Sequence, residues 1–337
     1  MSIIEKALAK GGKSGGNEGA RARHEQAQAS GPEATLNPEM LSRAGKLKDM
    51  SGVSVLGYQE TVIGKLLIAA GKLTDQQVNQ ITELQGRESL LFGEAALKLG
   101  YVTENDILHA LSRQYNYVVY DPAREQYAAD LVTAYQPLSP QAETIRNICT
   151  QLLLNWLNLD SKTLVVVSPG SAEGKSFMAA NLAMVFSQLG KETLLIDADL
   201  RAPRQHKIFN FENRIGLSSL LAGRISQEDL GRLPEKIGVA SNLSVLGAGP
   251  PPPIPVKLMI EHRWPMILQE LKKHYEVIII DTPDGEHQAD VRAIAVRADS
   301  ALLVLRKDKT RMADAQALRE SLDKVNVKIV GAVMNEH

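Results

Sequence analysis

The chain has 337 residues, enough for two folded units and a tail, and its net charge of −1 argues against a nucleic-acid or anionic-membrane partner. Its single cysteine, Cys149, excludes an internal disulfide framework and is typical of a reducing cytosol. No run of about 18 apolar residues occurs, so we expect a cytoplasmic protein in which nothing spans a bilayer and any membrane role comes through a partner.

Residues 1–50 are predicted to be a disordered tail that carries one short helix. Residues 11–50 are rich in Gly, Ala, Ser, Gln and charge, and they cannot bury enough surface to offset their ordering entropy. Residues 3–8 have helical spacing, but a helix this short is not stable alone in water. It is either a frayed terminus or a docking helix for a partner.

Residues 51–122 contain an internal repeat, which predicts a small, mainly helical domain. In each copy a first helix should end at a glycine in the left-handed conformation. A second helix should then start at a threonine N-cap that is followed by an acidic residue. The equivalent pairs all share one offset and are Gly64 with Gly93, Gly71 with Gly100, Thr74 with Thr103, and Gln85 with Gln114.

This repeat resembles the N-terminal domain of type II secretion and type IV pilus assembly ATPases. In some of those proteins the duplicated motif binds cyclic di-GMP, and each copy then opens with an arginine. The corresponding residues here are Val62 and Leu91. Because arginine is suited to stacking on guanine and gripping phosphate, its absence favours a structural or protein-docking domain over cyclic di-GMP binding.

After the repeat, residues 115–122 alternate in a way that suggests a strand closing the small domain. We expect a linker at 123–140, punctuated by prolines. Residues 141–337 then alternate apolar β-rich runs with helical stretches, which indicates an α/β fold with a mostly parallel sheet. Ligands bind such sheets beyond the carboxyl ends of the strands. The predicted strands are 163–168, 193–197, 243–246, 277–281, 301–305 and 327–334.

The first of these strands runs into a phosphate-binding loop, which a helix at 177–189 follows. The strict motif expects glycine at Pro169, and here a glycine stands one place later. Backbone N–H groups and the helix N-terminus would cradle phosphates, Lys175 would reach the β- and γ-phosphates, and the Ser176 hydroxyl would bind Mg²⁺. The residues expected to contact ATP here are Gly170, Ser171, Ala172, Glu173, Gly174, Lys175, Ser176 and Phe177.

Two later strands each end in carboxylates, which lie beside this loop if the strands are neighbours in the sheet. Asp281 ends one of them and fits a magnesium shell, together with Ser176 and Asp199. Asp197 and Asp199 end the other strand, and one of the two could accept a proton from an attacking hydroxyl. The sequence leaves open which of them is the base.

The phosphate loop, the segment 196–201 (Ile-Asp-Ala-Asp-Leu-Arg) and the segment 278–283 (Ile-Ile-Ile-Asp-Thr-Pro) together resemble the bacterial tyrosine kinases of polysaccharide export. Those kinases use a ParA/MinD-like P-loop NTPase fold. The resemblance implies phosphoryl transfer from Mg-ATP to a protein tyrosine. It also implies that Arg201 steadies phosphate charge and that Asn335 contacts adenine. The activating partner it implies is a membrane chain-length determinant protein, which would recruit the chain peripherally to the inner membrane. Further matching segments are 139–146, 216–223 and 249–253.

With the repeat domain in front, the chain resembles the chain-length-determinant kinase subgroup of exosortase-linked exopolysaccharide loci. It departs from the kinase pattern in three places. The last tyrosine is Tyr275, so we expect no clustered tail autophosphorylation. The ring-forming motif at 143–149 ends in Cys149 instead of arginine, which leaves a homo-oligomer open. In the proline-rich segment that begins at 249, Ile254 and Lys257 replace the Asn and Glu that are usual in those kinases.

Three functions remain open on the sequence. The Asp-x-Asp-x-Arg segment favours a tyrosine kinase that regulates exopolysaccharide chain length and export. The missing tail tyrosines favour a ParA/MinD-like switch ATPase that regulates the export machinery without phosphorylating tyrosine. The third alternative is a binding module that couples the repeat domain to that machinery and whose ATP site is only structural.

Overall fold

The computed structural model describes residues 55–115, 120, 127–157, 161–238 and 242–336. These residues belong to two compact units that divide between Tyr117 and Val118. The tail predicted at 1–50 lies outside the described residues, and so does most of the strand predicted at 115–122.

The first unit is helical, as the repeat predicts. Its described part forms a small core in which α1 packs on α4 and α2 on α3. Phe92 and Ile81 are among the buried side chains at its centre. The helices are α1 (Val55–Ala69), α2 (Asp75–Glu88), α3 (Phe92–Lys98) and α4 (Glu104–Tyr115).

Both copies of the repeat turn in the same way. Gly71 and Gly100 have φ values of +70° and +69°, so the predicted left-handed glycines are confirmed. Thr74 caps α2, its hydroxyl accepting a hydrogen bond from the Gln77 N–H. Thr103 takes the equivalent place before α4, where its hydroxyl accepts from the Asp106 N–H.

An ion pair links the two copies. The Nζ atom of Lys72, a residue in the turn between α1 and α2, lies 2.8 Å from Asp106 Oδ1. Burial alone would raise the pKa of Asp106, but the bonds from Lys72 and from Thr103 outweigh it and lower this pKa to about 2. A charge pair therefore ties the turn of the first copy to the start of α4 in the second copy.

The second unit is built on a sheet with the strand order β3-β4-β2-β5-β1-β6-β7. All neighbouring strands are parallel except β3 and β4. The six predicted strands are confirmed, and β3 is an addition too short to leave a sequence pattern. The strands are β1 (Thr163–Val167), β2 (Thr193–Asp197), β3 (Glu235–Lys236), β4 (Leu243–Leu246), β5 (Val277–Asp281), β6 (Ser300–Arg306) and β7 (Lys328–Asn335).

Helices cover both faces of this sheet and enclose two apolar cores. Trp264 and Leu271 of α11 lie in one core, and Phe186 of α7 lies with Trp156 in the other. The helices are α5 (Val132–Tyr135), α6 (Pro140–Asn155), α7 (Lys175–Gln188), α8 (Gln205–Ile208), α9 (Leu217–Leu221), α10 (Pro255–Ile260), α11 (Arg263–His274), α12 (Gln288–Ala295) and α13 (Met312–Asp323), with 3-10 turns at Gln227–Arg232 and Gly285–His287.

The linker expected at 123–140 needs correction in its described part. Leu131 and Ala134 are fully buried in the core of the second unit. The backbone N–H and hydroxyl of Thr133 donate to Asn181 Oδ1 at 3.1 and 2.9 Å, which ties this segment to α7. Pro140 is not loop punctuation: it is the first residue of α6, with Ser139 as N-cap.

Across the described residues, no helix is both long enough and apolar enough to span a bilayer.

Candidate functional site

The loop between β1 and α7 has the backbone that a phosphate site requires. Gly174 has φ +99° and caps α7, and a Cβ at this position would collide with Asn335 Nδ2. Glycine is therefore required here both by conformation and by space. Among the described residues, none accepts a hydrogen bond from the backbone N–H groups of residues 171–177. These donors at the N-terminus of α7 are left for an anionic ligand.

An acidic side chain inside the loop holds it in shape. The buried carboxylate of Glu173 accepts a hydrogen bond from the Gly170 N–H at 2.8 Å and another from the Thr310 hydroxyl. The Glu173 carbonyl accepts from Asn335 Nδ2 at 3.1 Å. Glu173 and Asn335, which the sequence assigns to ATP binding, therefore both brace the loop itself.

The segment after β6 reaches the outer side of the same loop. Arg306 Nη1 donates to the Ala172 carbonyl at 2.9 Å, and Lys309 Nζ donates to the Ser171 carbonyl at 2.6 Å. Two cationic side chains thus bond the carbonyls of Ser171 and Ala172. The backbone N–H groups of residues 171–177 have no such partner within the described part of the chain.

Asp281 is the last residue of β5, and its carboxyl group lies close to Ser176 of α7. Its Oδ2 accepts from Gln205 Nε2 at 2.8 Å, and Gln205 also donates to the Ser176 carbonyl at 3.2 Å. Asp281 Oδ1 is buried and has no hydrogen-bond partner among the described residues. Burial raises the pKa of Asp281, although the bond from Gln205, the nearby Ser176 hydroxyl and the charge of Lys175 act against it.

Asp197 shapes the backbone beyond β2. Its carboxylate is fully buried and accepts three backbone N–H groups, from Asp199 at 3.2 Å and from Arg204 and Gln205 at 2.9 Å each. Burial, followed by the charge of Asp281, raises its pKa well above the ordinary value. The residue therefore holds the turn 198–205 against the sheet.

Asp199 is half-buried and lines the cavity above the loop. Its Oδ1 accepts from the N–H groups of Arg201 and Ala202 at 3.1 and 3.0 Å. Of the two acids left open by the sequence, Asp199 is the one that faces the place of an incoming ligand.

Arg201 is turned away from this cavity. Its Nε donates to Asp290 Oδ2 at 2.6 Å, and this pair raises the pKa of the guanidinium. The structure thus brings Lys175, Ser176, Asp199 and Asp281 together, and it places Arg201 on α12 instead.

The cavity has a volume of about 300 Å³. Several of its residues have no place in the sequence motifs. Asp284 follows Asp281 closely and could have been found by extending that motif, whereas Arg204 carries no signal beyond its nearness to Asp199. The lining is Asp130, Ser171, Ala172, Glu173, Gly174, Lys175, Ser176, Phe177, Asp199, Ala202, Arg204, Ile208 and Asp284.

The residues present fit a magnesium ion that is bound together with phosphates. The described residues contain no group of three or more His, Cys, Asp or Glu side chains able to hold a metal by themselves. Magnesium needs no such group, since it is usually held by one or two carboxylates and by substrate phosphates. The unbonded Oδ1 of Asp281, close to Ser176, is a ligand of the required kind.

Comparison with known proteins gives a consistent result. The family model of the CobQ/CobB/MinD/ParA nucleotide binding domain matches residues 164–337. The putative tyrosine-protein kinase CapB of Staphylococcus aureus is 34% identical over 201 residues, which are 60% of this chain and 86% of CapB. Tyrosine-protein kinase YwqD of Bacillus subtilis is 35% identical over 206 residues, 61% of this chain and 85% of YwqD.

A solved structure agrees with these relatives. The chimerical protein CapA2B2 superimposes with a TM-score of 0.57 at 28% sequence identity. The match covers 70% of this chain and 99% of the chimera. Together with the family model, it confirms the predicted ParA/MinD-like P-loop fold of the second unit.

Proposed function

The chain belongs to the bacterial tyrosine kinases, which carry the CobQ/CobB/MinD/ParA nucleotide-binding domain, and we propose that it phosphorylates tyrosine on a protein of a polysaccharide export system. One observation carries the assignment of the site. The unbonded N–H groups of residues 171–177 face a cavity that Asp199 also lines, with the unbonded oxygen of Asp281 behind Ser176.

Binding of ATP is assigned to the loop and the start of α7. The N–H groups of residues 171–177 would hold phosphate oxygens, with the partial positive charge of the helix N-terminus in support. Lys175 would place its ammonium on the β- and γ-phosphates. Ser176 and Asp281 would hold magnesium, which supplies further neutralisation of phosphate charge when it is bound.

Proton removal from the tyrosine is assigned to Asp199. The bond between the γ-phosphorus and the β–γ bridging oxygen breaks, a bond to the phenolic oxygen forms, and ADP leaves. The phenolic proton would pass to the carboxylate of Asp199. Asp197 is the weaker candidate, because its two oxygens already accept three backbone N–H groups.

Asn335 and Arg201, the two remaining residues that the resemblance assigns to the nucleotide, receive different roles here. Asn335 is fixed on the loop beside Gly174, which supports a role next to the adenine. Arg201 does not line the cavity and its Nε is bonded to Asp290, so we assign it to holding the turn after Asp199.

The wider role rests on resemblance. We propose that a membrane chain-length determinant protein recruits and activates the kinase, and that the first unit is a docking domain similar to that of the secretion ATPases. The matched turns at Gly71 and Gly100 support the repeat. With Val62 and Leu91 in place of arginines, cyclic di-GMP remains the less favoured ligand.

The proposal is tested by mixing the full chain and Mg-ATP with the cytosolic segment of a membrane chain-length determinant protein from the same organism. Phosphotyrosine should form faster with this segment than without it, and Lys175→Met should abolish the product in both cases. Equal rates with and without the segment would remove the proposed partner. Hydrolysis of ATP with no phosphotyrosine in any mixture would instead favour the switch ATPase.

A further inference from the structure

The phosphate cavity has a cation that the sequence motifs do not assign. Arg204 lines it, together with Lys175, and these two are the positively charged residues among the described lining. The lining also contains four acidic residues, Asp130, Glu173, Asp199 and Asp284. A nucleoside triphosphate brings several more negative charges. With Lys175 as its sole cation, the site would therefore carry an excess of negative charge.

Arg204 is held in position by its backbone. Its N–H donates to Asp197 Oδ2 at 2.9 Å. The next residue, Gln205, bonds both Asp281 and the Ser176 carbonyl through its side chain. The Cα of Arg204, from which its side chain starts, is therefore fixed relative to Asp281 and to the phosphate loop.

The guanidinium of Arg204 is uncommitted within the described part of the chain. No carboxylate of those residues lies within ion-pair distance of it, although Asp130 and Asp284 line the same cavity. Arg201 differs in just this respect, because its Nε is bonded to Asp290. Arg201 is thus bonded to a carboxylate, whereas the Arg204 guanidinium can bind a ligand without breaking an ion pair within the described residues.

We propose that Arg204 binds a phosphate oxygen of the nucleotide and supplies the phosphate contact expected of Arg201. A guanidinium matches phosphate geometry with two parallel N–H donors, which an ammonium cannot reproduce. This inference rests on the nucleotide site proposed above and adds a specific residue to it.

Binding of Mg-ATP and Mg-ADP to the full chain, measured by calorimetry, tests the inference. Arg204→Gln should weaken ATP binding by about tenfold or more, the usual scale for losing one charge-assisted bond. Arg204→Lys should recover part of the affinity. A loss for ATP alone would place the contact at the γ-phosphate, and a loss for both nucleotides would place it at the α- or β-phosphate.

Lys207→Gln is the matched control, since it removes the same charge three residues further along the chain, at an exposed position of α8 outside the cavity. It should bind ATP within about twofold of wild type, because an exposed charge in water is screened. Wild-type affinity in Arg204→Gln would overturn the inference, and so would equal losses in both variants. Failure of the unmutated chain to bind ATP would instead contradict the proposed function, and melting curves without nucleotide would identify a variant that has lost its fold.

Discussion

Asp197 and Asp281 are Cα partners at the carboxyl ends of the neighbouring strands β2 and β5, and both are fully buried. Their surroundings differ. Asp197 accepts three backbone N–H groups, whereas Asp281 accepts one side-chain amide and keeps an unbonded oxygen. The two acids occupy equivalent places in the sheet but have different roles. Asp197 stabilises the turn 198–205, whereas Asp281 has an oxygen available to bind a cation.

We predict that Asp281→Asn separates stability from metal binding. Burial raises the pKa of Asp281, so its ionised form costs the folded state stability as pH rises above the unfolded value of about 4. The variant without ligand should melt at or above the wild-type temperature at pH 7. Its additional stabilisation by Mg²⁺ in the presence of ADP should be lost. A full Mg²⁺-dependent shift in Asp281→Asn would contradict the assignment.

Asp197 and Asp199 should fail in different ways. Asp197→Ala leaves buried N–H groups of the turn unpaired and should lower the free energy of unfolding by about 2–4 kcal/mol. Asp199→Asn should change that free energy by less than about 1 kcal/mol but slow tyrosine phosphorylation by about 100-fold or more. Urea unfolding and initial rates check both values. A fast Asp199→Asn enzyme would return the role of base to Asp197.

Glu173 and Thr310 should act as one unit. Removing either partner with Glu173→Ala or Thr310→Val breaks the bond that closes the phosphate loop. We expect a coupling free energy of about 1–2 kcal/mol in unfolding, and weaker ATP binding in each single variant. Thr144→Val is the matched control, because the Thr144 hydroxyl bonds only the Pro140 carbonyl in its own helix. Strict additivity of the two changes would show that the bond does not form.

Asp299 should give the second unit a pH-dependent stability. Burial alone would raise its pKa, but hydrogen bonds from Lys272, Thr163 and the Lys162 N–H lower it below the ordinary value. A lowered pKa stabilises the fold above the unfolded value of about 4 and stops doing so as pH falls through the folded value.

Asp299→Asn should therefore cost about 1–3 kcal/mol at pH 7 and progressively less below pH 4, measured by urea unfolding across that range. The comparison variant is Asp323→Asn, which removes an exposed acid 3.9 Å from Arg319. It should stay within about 0.5 kcal/mol of wild type at every pH. A pH-independent cost in Asp299→Asn would show that the charge of the Asp299 carboxylate is not what stabilises the fold.

Much of the fold could be predicted because buried parallel strands leave continuous apolar runs. The strands Thr193–Asp197, Leu243–Leu246 and Val277–Asp281 begin and end where the sequence predicts. The site was predictable only where residues belong to local motifs. The pairing of Arg201 with Asp290 and of Gln205 with Asp281 joins residues 89 and 76 positions apart, so no local pattern records it. Leu131 falls within the predicted linker for the same reason, since its partners lie elsewhere in the chain.

Transfer of the γ-phosphoryl group of ATP from this phosphate loop to tyrosine can be measured by incubating the purified full chain with Mg-ATP labelled at the γ-phosphate and assigning the label by phosphoamino-acid analysis. We predict label on tyrosine, retained with Lys207→Gln and lost with Lys175→Met. Label released only as inorganic phosphate, with none on tyrosine, or tyrosine labelling that survives Lys175→Met, would contradict this transfer.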